Sequence, residues 1–148
     1  MDSIPVHCMT NILKVWMDNL ISENQSAFVG GRLIHDNIIV GFEGIHLMKH
    51  DRFGNGKKMA LKLDMSKAFD RVEWKLLETV MVKMWFAKAW ILKIMNYISS
   101  VSFSFLLNGD TKGNIIPSRG LRQGDPFSPF LFLLCYEGIF CLLKKNGK

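Results

Sequence analysis

The chain has 148 residues, 49% hydrophobic and 22% charged. That is the length of one ordinary domain, with enough apolar material for a core and too much for a disordered chain. Nineteen Lys and Arg against thirteen Asp and Glu give a net charge of +6, a moderate excess that favours a polyanionic partner. The longest uncharged run, Ile94 to Gly109, is broken by Asn96, Asn108 and four serines, so no span suits a transmembrane helix. Asp2 and the lack of an apolar stretch behind a basic start exclude a secretory signal. The three cysteines, Cys8, Cys135 and Cys141, form no CxxC pair and read as thiols of a reducing compartment. None of the four histidines sits beside a cysteine at zinc-ligand spacing, which argues against a structural zinc site.

In chain order, Ile12, Leu13, Val15, Trp16 and Leu20 predict a short amphipathic helix. Ser22 to Arg32 is polar and glycine-bearing and predicts a loop. From Leu33 to about His50, Ile34, Ile38, Phe42, Ile45 and Met48 recur at helical spacing. Asp51 to Gly56 is a turn. Met59, Leu61, Leu63 and Met65 then alternate with Ala60, Lys62 and Asp64, which predicts a half-buried strand with Asp64 near its exit. Ala68 to about Met84 predicts one helix, and Ala87 to Tyr97 another. Val101–Phe105 predicts a strand that Asn108-Gly109-Asp110 turns back into Gly113–Ile116. Ser118 to Ser128 is a loop, and Pro129, with Ser128 as cap, opens a helix to about Leu143. Helices and strands mix without regular alternation, so the fold class is α+β.

Two segments carry candidate chemistry. In Leu61–Asp70, a carboxylate leaving a strand just before a helix is placed to hold a hard cation such as Mg²⁺, which takes one or two carboxylates plus substrate phosphates. Asp64 would equally serve as a helix cap, and Asp70, beside Arg71 and Glu73, would equally sit on a solvated face. In Ser118–Pro129, two glycines permit close backbone approach, two arginines suit phosphates and a glutamine suits a base or sugar edge. Locally this is also a charged turn before a helix.

Taken together, three ordered blocks resemble the reverse transcriptase domain of non-LTR (LINE-type) retrotransposons, especially those of plants. They are Ser22-Glu23-Asn24-Gln25-Ser26-Ala27-Phe28-Val29-Gly30-Gly31-Arg32 with Asp36-Asn37-Ile38, then Leu63 to Trp74, then Gly120-Leu121-Arg122-Gln123-Gly124-Asp125-Pro126-Phe127-Ser128-Pro129 running on to Gly138. The resemblance implies a partial right-hand polymerase fold, fingers-like over about 1–58 and palm-like over about 59–148 with fingers insertion elements. It implies that Asp64 is the first catalytic aspartate, binding Mg²⁺ together with the main-chain carbonyl of Met65, in a two-metal scheme with ions about 4 Å apart. It further implies that Phe69 packs under the incoming sugar and rejects a 2′-hydroxyl, and that Gln123 and Gly124 lie against nucleotide and template. Arg32 and Arg122 would meet backbone phosphates. The implied partners are an RNA template, a DNA primer and dNTPs, with no membrane.

The sequence departs from that pattern in two ways. The family carries an aromatic-x-Asp-Asp motif after the Gln-Gly-Asp-Pro block, and this sequence contains no Asp-Asp. Glu137, its one acid beyond Asp125, lies inside an apolar run. Ile4 of Ser3-Ile4-Pro5 stands where the family carries a triphosphate-binding arginine. The expectation is therefore a fragment lacking the Asp-Asp hairpin and thumb, inactive alone and dependent on a missing C-terminal half. A palm sheet without that hairpin would keep an unpaired edge. Phe127, Phe130, Leu131, Phe132, Leu134, Ile139 and Phe140 would then lack part of their packing, leaving the chain poorly soluble or partly molten. Two other readings stand beside it. One is a non-catalytic RNA or RNA–DNA binder using Lys57, Lys58, Lys62, Lys67, Arg119 and Arg122. The other is a translated remnant of a decayed element with no selected function.

Overall fold

The computed structural model describes residues 5–50 and 59–146. Helix α1 (Val6–Leu20) is followed by α2 (Ile34–His50), a single 3-10 turn (Phe69–Arg71), α3 (Trp74–Lys83) and α4 (Lys88–Ser99). The antiparallel hairpin β1 (Phe103–Leu107) and β2 (Asp110–Ile115) then precedes the long helix α5 (Ser128–Asn146). Helices with one small antiparallel sheet bear out the α+β reading.

The core is built by α1, α3, α4 and α5. Leu13 and Met17 of α1, Leu77 and Met81 of α3, Ile94 of α4 and Leu131 and Leu134 of α5 are all essentially closed to solvent. α5 touches both α1 and α3, and α3 also touches α4, so this core crosses the boundary expected near residue 58. α3 and α5 come close because position 138 has no side chain. A Cβ on Gly138 would stand 2.4 Å from Val80 Cγ2.

Several expectations are corrected. α1 buries Met9, Leu13 and Met17, spaced by four, while Ile12, Val15 and Trp16 face solvent. Two neighbouring apolar stripes compete on that helix, and the one facing α5 is buried. Residues 59–65 do not form a strand. Leu61 and Leu63 are each 71% exposed, and the one described sheet holds only β1 and β2. A strand exists only with a hydrogen-bonded neighbour, and no described segment lies beside this one.

The expected helix over 68–84 is broken in two. Its first part is the 3-10 turn, Val72 turns extended (φ −65°, ψ 114°), and α3 begins at Trp74. The carbonyls of Phe69 and Val72 accept bonds from the distant amides of Leu121 and Gly120. Tertiary contacts have replaced helical ones. Of the seven residues expected to lack part of their packing, Phe127, Leu131 and Leu134 are fully buried, while Phe130, Phe132, Ile139 and Phe140 are only partly so. Exposed apolar surface is extensive on α2, on 59–65 and on the hairpin, and further exposed apolar side chains lie on α1 and near the end of α5. Ile38, Phe42 and Ile45 of α2 are 60–73% exposed.

The hairpin turn is where the sequence places it. Asn108 (φ 52°) and Gly109 (φ 88°) are both left-handed, as a two-residue type I′ turn demands. The strands pair as Leu107 with Asp110 and Phe105 with Lys112, and a bulge follows before Phe103 meets Ile115. β1 therefore begins two residues later than the alternation suggests. Ser128 is the first residue of α5 rather than its cap, and just ahead of the helix the Asp125 carboxylate accepts from the Phe127 amide at 2.9 Å.

Candidate functional site

The second and third sequence blocks, some fifty residues apart, are latched together. The Gly120 amide donates to the Val72 carbonyl (2.8 Å) and the Leu121 amide to the Phe69 carbonyl (2.9 Å). From the other side the Trp74 indole donates to the Gly120 carbonyl at 2.8 Å. Gly120 has φ +89°, and a Cβ there would lie 3.2 Å from the Asp70 carbonyl oxygen. Glycine is therefore required both for its backbone conformation and for the space. Two exposed side-chain contacts close the same seam, Gln123 to Asp70 at 3.3 Å and Arg119 to Glu73 at 3.4 Å.

The loop that follows is held by Asp125, which is buried. One carboxylate oxygen accepts from the Phe127 amide, and the other takes a very short hydrogen bond from the Tyr97 hydroxyl of α4. Burial, then this bond and the charge of Asp125, push the Tyr97 phenol up to about 12. Behind the latch lies a cavity of about 140 Å³ between Trp74, Tyr97, Phe103 and Leu121. On its outer side Phe69, Gln123, Gly124, Asp125, Pro126 and Pro129 line an open depression.

Thus Phe69, Gln123 and Gly124, proposed from sequence as nucleotide-facing, line one depression. Phe69 also stacks on Phe132 of α5, ring centres 5.0 Å apart, so it packs against the core as well. Gly124 (φ +84°) has no atom within 4 Å of where a Cβ would be, which leaves that stretch of backbone open to approach. Arg122 is exposed. Asp64 and Met65 sit on the unpaired segment and are exposed, and Lys67, left-handed at φ 52°, turns the chain from them into Phe69. Lys57, Lys58 and Ile4 lie outside the described residues.

Arg32 is engaged within the chain. Its guanidinium donates to the carbonyls of Ser22 (2.6 Å) and Gln25 (2.8 Å), and more weakly to those of Asp18 and Ile21 (3.4 Å each). α1 has no basic residue in its last turn, and Arg32 supplies the missing cation and donors there. A phosphate would have to compete with these carbonyls. Glu137, passed over as an acid in an apolar run, is buried and accepts from both the amide and the hydroxyl of Ser22 (3.1 and 3.0 Å). It ties the first sequence block to α5. A lone acid within a buried helix stripe is the sequence signal for such a tie, because a buried carboxylate needs partners.

Residues 4–147 match the reverse transcriptase (RNA-dependent DNA polymerase) family. The chain belongs to that family. This reverse transcriptase chain is 31% identical over 135 residues to the uncharacterized 149 kDa protein of transposon TX1 from Xenopus laevis, covering 90% of the chain and 10% of that protein. It is 39% identical over 88 residues to the retrovirus-related Pol polyprotein from type-1 retrotransposable element R2 of Nasonia vitripennis, covering 57% and 8%. An uncharacterized mitochondrial protein of Arabidopsis thaliana is 54% identical over 41 residues, covering 28% and 34%. The matches thus span about a third or less of each relative's length. No solved structure matches.

Reverse transcriptases use Mg²⁺, and the described residues do not by themselves fit that ion. Among the described residues no three His, Cys, Asp or Glu side chains converge on a metal position, and the Asp64 carboxylate with the Met65 carbonyl is too small a set for a six-coordinate cation. Among the described residues no helix is long and apolar enough to cross a membrane.

Proposed function

We propose that the chain is the nucleotide-facing part of a non-LTR, plant-type reverse transcriptase, supplying one wall of a polymerase site and inactive by itself. The observation that carries this reading is the latch that joins Phe69–Trp74 to Gly120–Gln123. It puts Phe69, Gln123 and Gly124 around one open depression, with Asp64 five residues before Phe69. Fingers-like residues over about 1–58 and palm-like residues over about 59–148 would divide the work. Asp64 and the Met65 carbonyl would be the chain's contribution to a Mg²⁺ site whose other ligands come from an aromatic-x-Asp-Asp hairpin. The same hairpin would supply the strand that 59–65 lacks. RNA template, DNA primer and dNTPs are the substrates, Phe69 the group that senses the sugar, and Arg122 a phosphate contact.

The test is primer extension on an RNA template with Mg²⁺. The 148-residue chain alone is expected to extend nothing. A fusion carrying an aromatic-x-Asp-Asp hairpin and thumb from a related reverse transcriptase is expected to extend the primer, and Asp64→Asn in the fusion to abolish it. Extension by the chain alone, or a fusion indifferent to Asp64→Asn, would overturn the proposal.

A second reading, nucleic-acid binding without chemistry, rests on the exposure of Lys62, Lys67 and Arg122. Phosphate contacts make affinity fall steeply with salt. RNA binding that is undetectable or insensitive to salt would eliminate this reading.

A further inference from the structure

α2 carries three histidines, His35, His46 and His50, that the reverse transcriptase assignment does not use. His46 and His50 stand four residues apart on Ile34–His50, so their side chains lie one turn apart on the same face. Their ring centres are 4.3 Å apart, with the planes tilted by 42°, and both residues are exposed. We propose that His46 and His50 form a two-imidazole chelate for a divalent transition-metal ion of the nickel, copper or zinc kind.

The geometry is close to what such an ion needs. A metal about 2.0–2.1 Å from one nitrogen of each ring, at the angles of square-planar to tetrahedral coordination, sets ring centres about 4.5–5 Å apart. The observed separation of 4.3 Å lies within a few tenths of an ångström of that range. Once one imidazole is bound, the helix presents the second at high effective concentration, which makes the pair a chelate rather than two independent ligands. Among the described residues no third His, Cys, Asp or Glu joins them. An all-nitrogen pair of this kind favours ions with high imidazole affinity and disfavours Mg²⁺. The sequence signal is His-x-x-x-His on a helix, which a search for histidines beside cysteines passes over.

The experiment is calorimetric titration of the full 148-residue chain with Ni²⁺. One ion per chain is expected to bind. His46→Gln and His50→Gln, both surface changes, are each expected to weaken it by about tenfold or more through loss of the chelate, while His35→Gln leaves it unchanged. A metal that clips two helical turns also stiffens the helix. Added Ni²⁺ is thus expected to deepen the ellipticity at 222 nm in the parent chain and not in the His50→Gln variant. Equal Ni²⁺ affinity in the parent and both single variants would show that the rings merely pack together, and the proposal would fail. A parent that binds no more tightly than the double variant would overturn it as well.

Discussion

The close crossing of α3 and α5 makes one substitution change sign with its surroundings. Alanine in place of glycine inside a helix ordinarily stabilises by up to about 1 kcal/mol. At Gly138 the new Cβ would lie 2.4 Å from Val80 Cγ2, with Cγ1 and Cβ at 3.4 and 3.5 Å. Carbon atoms prefer about 3.5–4.0 Å, so the two helices must part by roughly an ångström at that point. Val80 cannot step aside, because a β-branched side chain in a helix has essentially one rotamer and this one is buried. Overpacking of this kind costs about 1–3 kcal/mol. Set against the propensity gain, Gly138→Ala is expected to destabilise by about 0.5–2 kcal/mol. Gly44 in α2 has nothing within 4 Å of its Cβ position, so Gly44→Ala is expected to be neutral or stabilising. Urea unfolding followed at 222 nm measures both. Val80→Ala removes the clashing methyls, and the double variant should be more stable than the sum of the two single effects by about 1 kcal/mol or more. A Gly138→Ala chain as stable as Gly44→Ala, with additive behaviour in the cycle, would refute the packing argument.

Four further outcomes follow from the site. Tyr97 should ionise late, at about 12, so an absorbance titration of the phenolate is expected to lose its late step in Tyr97→Phe and shift it downward in Asp125→Asn. Because burial first, and then the Asp125 contact, raise the folded value above the ordinary 10, the neutral phenol's contribution to stability is fully present below pH 10 and is lost as pH rises through 12. Urea midpoints measured on either side of that window should show the loss in the parent and less of it in Tyr97→Phe. Trp74→Phe removes the indole donor to Gly120 and is expected to cost about 1 kcal/mol, with faster hydrogen exchange at the Gly120 and Leu121 amides. Arg32→Ala removes the donor to the Ser22 and Gln25 carbonyls, and the weaker one to Asp18 and Ile21 at the end of α1, and is expected to cost about 1–3 kcal/mol in urea unfolding. Asp64→Asn, on an exposed segment, should change stability by less than about 0.5 kcal/mol, so that any effect on a complemented polymerase reports chemistry rather than folding.

What could be read from sequence was what the chain encodes locally. Asn108-Gly109 specifies its own turn, α4 carries an unambiguous stripe, and α2 has helical spacing over its whole length. The parts that depend on distant partners were not legible. Met59–Met65 has the alternation of a strand, yet alternation describes a surface and cannot provide the neighbour that the backbone must pair with. Phe69–Glu73 is built of residues that a helix tolerates, and only the amides of Gly120 and Leu121 decide that it is not one. The site divides in the same way. Ordered motifs identified the family and brought Phe69, Gln123 and Gly124 into view. The anchors Trp74, Tyr97 and Glu137 stayed hidden because each bonds to a group at least 28 residues away. Arg32 was assigned to phosphates by its type, and its reach back to four carbonyls depends on how the 22–32 loop folds.

The latch at Gly120 also has a genetic consequence. Every substitution there introduces a Cβ against the Asp70 backbone and forces a left-handed conformation on a residue that resists it. Two motifs encoded some fifty codons apart would then come loose together. One codon thus bears on two motifs encoded far apart, and its tolerance to mutation is set by a backbone contact rather than by the chemistry of either motif.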